Sequence, residues 1–352
     1  MHTPHSRRSF LAAAAALGAA GALHRASFAV QTQDKSGLAE PVIGEGEHRY
    51  RCIHDWARPS AQHVFGNTHG VAVDDAGLVY IKHTVHASSP RDEAICVFDP
   101  QGGFVRAFGA EFKGGAHGLL LASEADGQYL YLADCNRGVV VKTDLAGREV
   151  WRRGVPEASG LYGSAAEYKP TNVARVPDGS GPQSGHLFVA DGYGRSWIHE
   201  YDAKGEYIRS FGGPGKERGQ VLCPHGIFVE TRKGTPRLVV ADRSNRRLQY
   251  FSLDGRHLGL VSEPVRLPCH FDQDGDCLLV PDLEARVTLL GRDDAPLAQL
   301  GDGGNSALRD KPRDQFLPGK FIAPHGACFD AKGDIFVVEW VEVGRVTKLE
   351  RA

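Results

Sequence analysis

The sequence is short of the features that would commit it to nucleic acid, to a membrane or to a metal-finger scaffold. Its 41 lysines and arginines are offset by 43 aspartates and glutamates, and no stretch is a basic stripe. Neutralising phosphates needs clustered cations, so a dedicated nucleic-acid binder is excluded. There is one methionine and no long helical pattern. The longest apolar run, Leu11–Leu23, is too short and too alanine-rich to be a good membrane span. The seven cysteines (52, 96, 135, 223, 269, 277, 328) contain no C-x-x-C. Their odd number forbids full pairing, and most read as buried thiols, with Cys269–Cys277 the one pairing left open.

What the chain does have is glycine, 43 residues, with 19 prolines, in a pattern that repeats. Between Lys169 and Phe251 two copies of one unit stand in tandem. Each opens with proline and a short polar residue (Pro170-Thr171, Pro224-His225), then runs strand, Gly/Pro turn, and a second strand ending in Ala-Asp (Ala190-Asp191, Ala241-Asp242). A basic loop, a third strand, an Asp/Gly turn and a fourth strand follow. Four short antiparallel strands repeated at this spacing mark a β-propeller blade. The opening position falls at His69, His117, Thr171, His225, Leu267 and His325, at intervals of 42 to 58 residues. The chain is therefore expected to be an all-β, six-bladed β-propeller.

The two ends complete this reading. Arg7-Arg8 followed by Phe10-Leu11 and the apolar run is the address of the bacterial twin-arginine export route, whose machinery is the expected partner. Residues 1–29 are expected to be its signal peptide, cleaved after Ala29, leaving no stable membrane insertion; the alternative is an uncleaved anchor. Destination is periplasmic or extracellular. Residues 30–47 read as a linker and 48–352 as the propeller. The last unit stops at Val346–Leu349 without a fourth strand, while Tyr50–Trp56 is a strand with no blade of its own. An open edge would expose unpaired backbone groups, so the N-terminal strand is expected to close the last blade.

First strands line a propeller's channel, so residues in one register converge on the axis. His117, His225 and His325 hold that register in blades two, four and six, about 120° apart. Three imidazoles so placed offer a three-nitrogen face to one divalent ion with a position left open, which suits zinc. A histidine between proline and glycine is, taken singly, more often a packing residue; three in phase are not. His69 shares the register in blade one as a fourth polar group or an outer partner, and His270, three residues past it, reads as structural. Tyr193, between two glycines, and Arg243 lie at second-strand ends facing the same mouth. They are candidates for a general base and a carboxylate clamp; turn residues bonded to a neighbouring blade are the alternative. Asp134, Asp191, Asp242 and Asp282 recur at one blade position and read as turn anchors.

These residues carry a resemblance. The propeller resembles the NHL-repeat family, and AHGLLL at His117, PHGIFVE at His225 and PHGACFD at His325, with Asp191-Gly192-Tyr193 and ADRSNR at Arg243, are similar to the motifs of peptidyl-α-hydroxyglycine α-amidating lyases. The resemblance implies zinc on His117, His225 and His325, catalysis by Tyr193 and Arg243, and cleavage of a C–N bond to an amide and glyoxylate. It also implies a second arginine in blade one, where this chain has Thr84; His83, His86 and Arg91 are the candidates to compensate. The structural calcium of that family uses an aspartate directly after the third histidine, where Gly326 stands. The cysteine that follows its tyrosine is Gly194 here.

The expected function is thus an exported metal-dependent lyase acting on a small-molecule or peptide substrate at the propeller axis. The alternative is a non-catalytic NHL propeller acting as a binding module. A calcium-dependent lactonase-type hydrolase ranks last, because it needs oxygen ligands around the axis where this chain has imidazoles.

Overall fold

The computed structural model describes residues 40–352. The expected signal peptide and its cleavage point lie outside the described residues, as does most of the expected linker. Six antiparallel sheets follow one another along the chain, and the described helical elements are three-residue 3-10 turns. The six-bladed propeller is what the repeat required. Blade four is representative: Pro224–Glu230, Arg237–Asp242, Arg247–Phe251 and His257–Val261 pair in sequence order.

Blade six is closed from the N-terminus. His48–Ile53 pairs antiparallel with Arg345–Arg351, Tyr50 opposite Arg351 and Cys52 opposite Leu349. A hairpin then adds Val42–Glu45 as a fifth strand, so the stretch read as linker contributes a strand of its own. Ile43, Tyr50 and Cys52 are buried with Leu279 and Leu289 of blade five and Val337 and Leu349 of blade six. Trp56 lies past the strand and packs between blades six and one, against Phe98 and Phe336.

The core is distributed between the blades. Each apolar cluster joins two neighbours: Val71 and Ile81 with Phe336 and Val338, Tyr80 with Leu119 and Leu132, Tyr131 with Val173 and Val189. Phe188 packs with Ile227 and Val240, and Tyr250 with Phe271 and Leu278. A sheet buries its faces only by stacking on the next, which is why the ring must close.

In blades three to six the residue ending the second strand pins the segment that leads into the first, while Asp134 of blade two accepts from Asn136 and Arg137 N in the turn that follows it. Asp191 accepts from Lys169 N, Asp242 from Leu222 N, Asp282 from Arg266 and Leu267 N, and Glu339 from Ile322 N. In blade one this place belongs to His83, whose Nδ1 accepts from Gly66 N and Val85 N. Burial pushes its pKa down to about 3, so the imidazole is neutral and free to accept. His83 is therefore a turn anchor. Cys269 and Cys277, the one pairing left open by the sequence, are both free thiols.

Candidate metal centre

The hydrogen bonds define the axial ring. Nδ1–H of His117 donates to Thr171 O (2.6 Å), that of His225 to Cys269 O (2.9 Å) and that of His325 to His69 O (2.9 Å). A carbonyl can only accept, so each neutral ring carries its hydrogen on Nδ1 and keeps a lone pair on Nε2, which in His325 lies 3.3 Å from His69 Nδ1. Every even blade thus hands its histidine to the axial residue of the next blade. The axial residues of blades one, three and five are His69, Thr171 and Cys269. This corrects Leu267: Pro268 bridges Asp282 just as Pro224 pairs with Asp242, so the next residue, Cys269, holds the register of His225. Leu267 instead gives its N–H to the Asp282 carboxylate.

Glycine after each even-blade histidine has a steric cause. A Cβ at Gly118 would lie 2.5 Å from Thr171 O, at Gly226 2.5 Å from Cys269 O, and at Gly326 2.6 Å from His69 O. The close approach needed for the interblade bond leaves no room for a side chain. It also means that Gly326 offers no ligand where the lyase family has its calcium-binding aspartate.

The four histidines pack as one buried cluster. Ring centroids are 4.7 Å apart for His117–His225 and His225–His325, 4.9 Å for His117–His325, and 4.5 Å for His69–His325. Desolvation, reinforced by neighbouring charges, holds all four pKa values well below the usual imidazole range, so they are in the neutral, ligating form. Donor atoms converge in two overlapping sets, His69–His117–His325 and His225–Cys269–His325, each within 4.8 Å. The expected trio is divided between these sets.

Tyr193 explains the division. Its hydroxyl lies 3.0 Å from His225 Nε2 and 3.2 Å from His117 Nε2, between the two nitrogens. The tyrosine is 40 % exposed, so it bridges the cluster and the solvent at the mouth. Burial of its hydroxyl end pushes its pKa up to about 12, against the opposing pull of Arg243. Gly192 and Gly194 are needed because a Cβ would meet Pro224 O (2.5 Å) at the first and the Asp191 carboxylate at the second. Arg243 Nη1 donates to Tyr193 Oη (3.4 Å) and Cys269 Sγ (3.9 Å), and Nη2 to Cys223 Sγ (3.2 Å). Burial disfavours its charge, but Cys269, Tyr193 and Cys223 outweigh that and raise its pKa.

The compensating candidates of blade one are engaged elsewhere. His83 anchors its turn, His86 bonds Ser88, and Arg91 pairs with Glu93. His270 is half-buried, and with Asp272 and Phe329 it lines a cavity of about 530 Å³ further along the inner strands that contains none of the expected site residues. Sequence reasoning missed two residues at the centre. Cys269 was findable by aligning Pro268 with Pro224; the environment of Cys223 carries no sequence signal.

The donor set fits a borderline cation. Three Nδ1-anchored imidazoles, a thiol and a buried His69 Nε2 without a hydrogen-bond partner form a nitrogen- and sulfur-rich cage. Backbone carbonyls that hold the Nδ1 hydrogens in this way orient the imidazole ligands of zinc sites.

Fold and site together define an exported six-bladed propeller with a histidine-lined axis. Residues 4–24 match the twin-arginine translocation pathway signal sequence, and no described helix is long and apolar enough to cross a membrane. The chain is 28 % identical over 196 residues to a Caenorhabditis elegans protein named "probable peptidyl-alpha-hydroxyglycine alpha-amidating lyase", covering 53 % of each. The chain thus spans about half the length of that relative. It is 27 % identical to mouse NHL repeat-containing protein 3 over 72 % of each chain. Among solved structures, an inactive variant of virginiamycin B lyase from Staphylococcus aureus with quinupristin shares the fold. Its TM-score is 0.51 at 12 % identity, over 85 % of this chain and 99 % of that one.

Proposed function

We propose that this protein is an exported, metal-dependent lyase that cleaves the C–N bond of an α-hydroxyglycine-type carbinolamide. The observation that supports this most is the position of the Tyr193 hydroxyl, held between His117 Nε2 and His225 Nε2 with Arg243 beside it. His117, His225 and His325 would hold a zinc-type ion. When bound, such an ion supplies Lewis acidity to the substrate hydroxyl and lowers that group's pKa.

The chain's own residues do the rest. With its pKa drawn down by Arg243 and by a bound ion, Tyr193 would take the hydroxyl proton as phenolate, and Arg243 would also orient the substrate carboxylate. The electron pair of the C–N bond goes to the amide nitrogen, which takes up a proton, and the carbon becomes the aldehyde of glyoxylate. Desolvation of the histidine cluster strengthens each charge contact at the mouth. The match to the amidating lyase named above supports the same reaction class. The test is release of glyoxylate and an amidated peptide from a synthetic α-hydroxyglycine peptide by the purified protein. No release above buffer by zinc-loaded protein sinks the proposal.

A binding module without catalysis is the second reading, favoured by the longer match to an NHL repeat-containing protein. It requires that the mouth bind ligand while Tyr193→Phe leaves everything measurable unchanged.

A further inference from the structure

The interblade hydrogen bonds put a sulfur atom in the axial ring. Cys269 occupies in blade five the place that His69 holds in blade one and Thr171 in blade three, each accepting Nδ1–H of the preceding blade's histidine. Cys269 is buried, and its Sγ falls within 4.8 Å of the donor atoms of His225 and His325. Donors bound to one tetrahedral ion through zinc-type bonds sit roughly 3.3–3.8 Å apart, so a small contraction closes this set. The hydrogen-bond contacts of the thiol are weak: Leu267 O at 3.5 Å and Arg243 Nη1 at 3.9 Å. The guanidinium is positioned to balance a thiolate.

We propose that Cys269 is a sulfur donor to the metal, joining His225 and His325 in the place that the reading above gives to His117; the proposal rests on that reading for the presence of one axial ion. The S–H proton leaves to solvent as the metal–sulfur bond forms. Both three-donor sets use His325, whose Nδ1 hydrogen is committed to His69 O, leaving one lone pair to give. The sets are therefore alternatives, and the axis holds one ion. The sulfur-containing set favours softer ions than the all-nitrogen set of His69, His117 and His325 does.

The experiment loads the full mature chain with cobalt(II) in place of zinc and records its near-ultraviolet spectrum, beside Cys269→Ser and Cys223→Ser. A sulfur-to-cobalt charge-transfer band in the wild type, kept in Cys223→Ser and lost in Cys269→Ser, supports the assignment. Cadmium affinity should fall by more than about tenfold in Cys269→Ser. Bound cobalt without such a band, or a band that depends on Cys223 instead, overturns it while leaving the histidine site standing. Absence of any bound cobalt overturns both readings. X-ray absorption of the zinc-loaded wild type covers the case of a Cys269→Ser chain that does not fold. A sulfur neighbour at about 2.3 Å supports the proposal, and a shell of nitrogen and oxygen alone contradicts it.

Discussion

The hydroxyl of Tyr193 stands 3.0 Å from Nε2 of His225 and 3.2 Å from Nε2 of His117. A phenol so held is registered on the face of the imidazole that would ligate an ion, and it donates at most one hydrogen to His225 or His117 at a time.

Removing that hydroxyl should separate catalysis from metal binding. Tyr193→Phe is expected to lower turnover of an α-hydroxyglycine peptide by about 10²–10⁴-fold, the usual worth of a positioned general base. Metal content should stay unchanged, because phenylalanine keeps the ring and removes no donor. Steady-state kinetics with metal analysis on one preparation checks this, and full turnover in the variant removes Tyr193 from the mechanism.

Arg243 offers a forked donor to Tyr193 and to two thiols, and a fork is what lysine lacks. Arg243→Lys is expected to raise KM for a carboxylate substrate by about tenfold or more, the cost of a lost charge-assisted pair. The penalty should shrink for the corresponding methyl ester. An equal penalty on acid and ester would place Arg243 with the turn rather than with the carboxylate.

The six units, the closure of blade six and the even-blade histidines were legible because proline, glycine and the Ala-Asp ends recur at fixed places. Their causes are geometric: Gly118, Gly226 and Gly326 are required by contact with the next blade, and Asp191, Asp242 and Asp282 by backbone N–H groups that need an acceptor. The residues that hid were those where the unit keeps its geometry with different chemistry. Cys269 is followed by His270 instead of glycine, so the motif broke and Leu267 drew the register. His83 does with an imidazole what the other blades do with a carboxylate. Val42–Glu45 is four residues in a polar stretch, too short for a pattern, and it becomes a strand only because blade six offers it an edge.

Lys82 gives a pH prediction. It is fully buried, with Nζ donating to Gly118 O (3.1 Å) and Ala133 O (2.6 Å). Desolvation, opposed by Asp134, lowers its pKa from 10.5 to about 7. Between those values the unfolded chain binds a proton that the native chain does not. Stability attributable to Lys82 therefore rises with pH across that window, by up to about 1.4 kcal/mol per unit, and is flat below it. Denaturant unfolding at about pH 7 and about pH 10 should show Lys82→Met gaining on the wild type at the lower pH. An equal difference at both values contradicts the assignment.

Closure of the ring should be a large part of stability. Tyr50 is 1 % exposed and its strand is the partner of Arg345–Arg351. Tyr50→Ala is expected to cost about 3–5 kcal/mol, as truncating a buried aromatic does. Chemical denaturation reads this directly, and a loss near zero would mean that the N-terminal strands ornament a ring that closes without them.

The most direct test of the account is the metal content of the purified mature protein, beside a His117→Ala/His225→Ala double variant of verified fold. About one zinc per chain is expected in the wild type, and its loss in the variant. Protein prepared without chelators that carries no stoichiometric metal, and takes none up from a zinc solution, would contradict it.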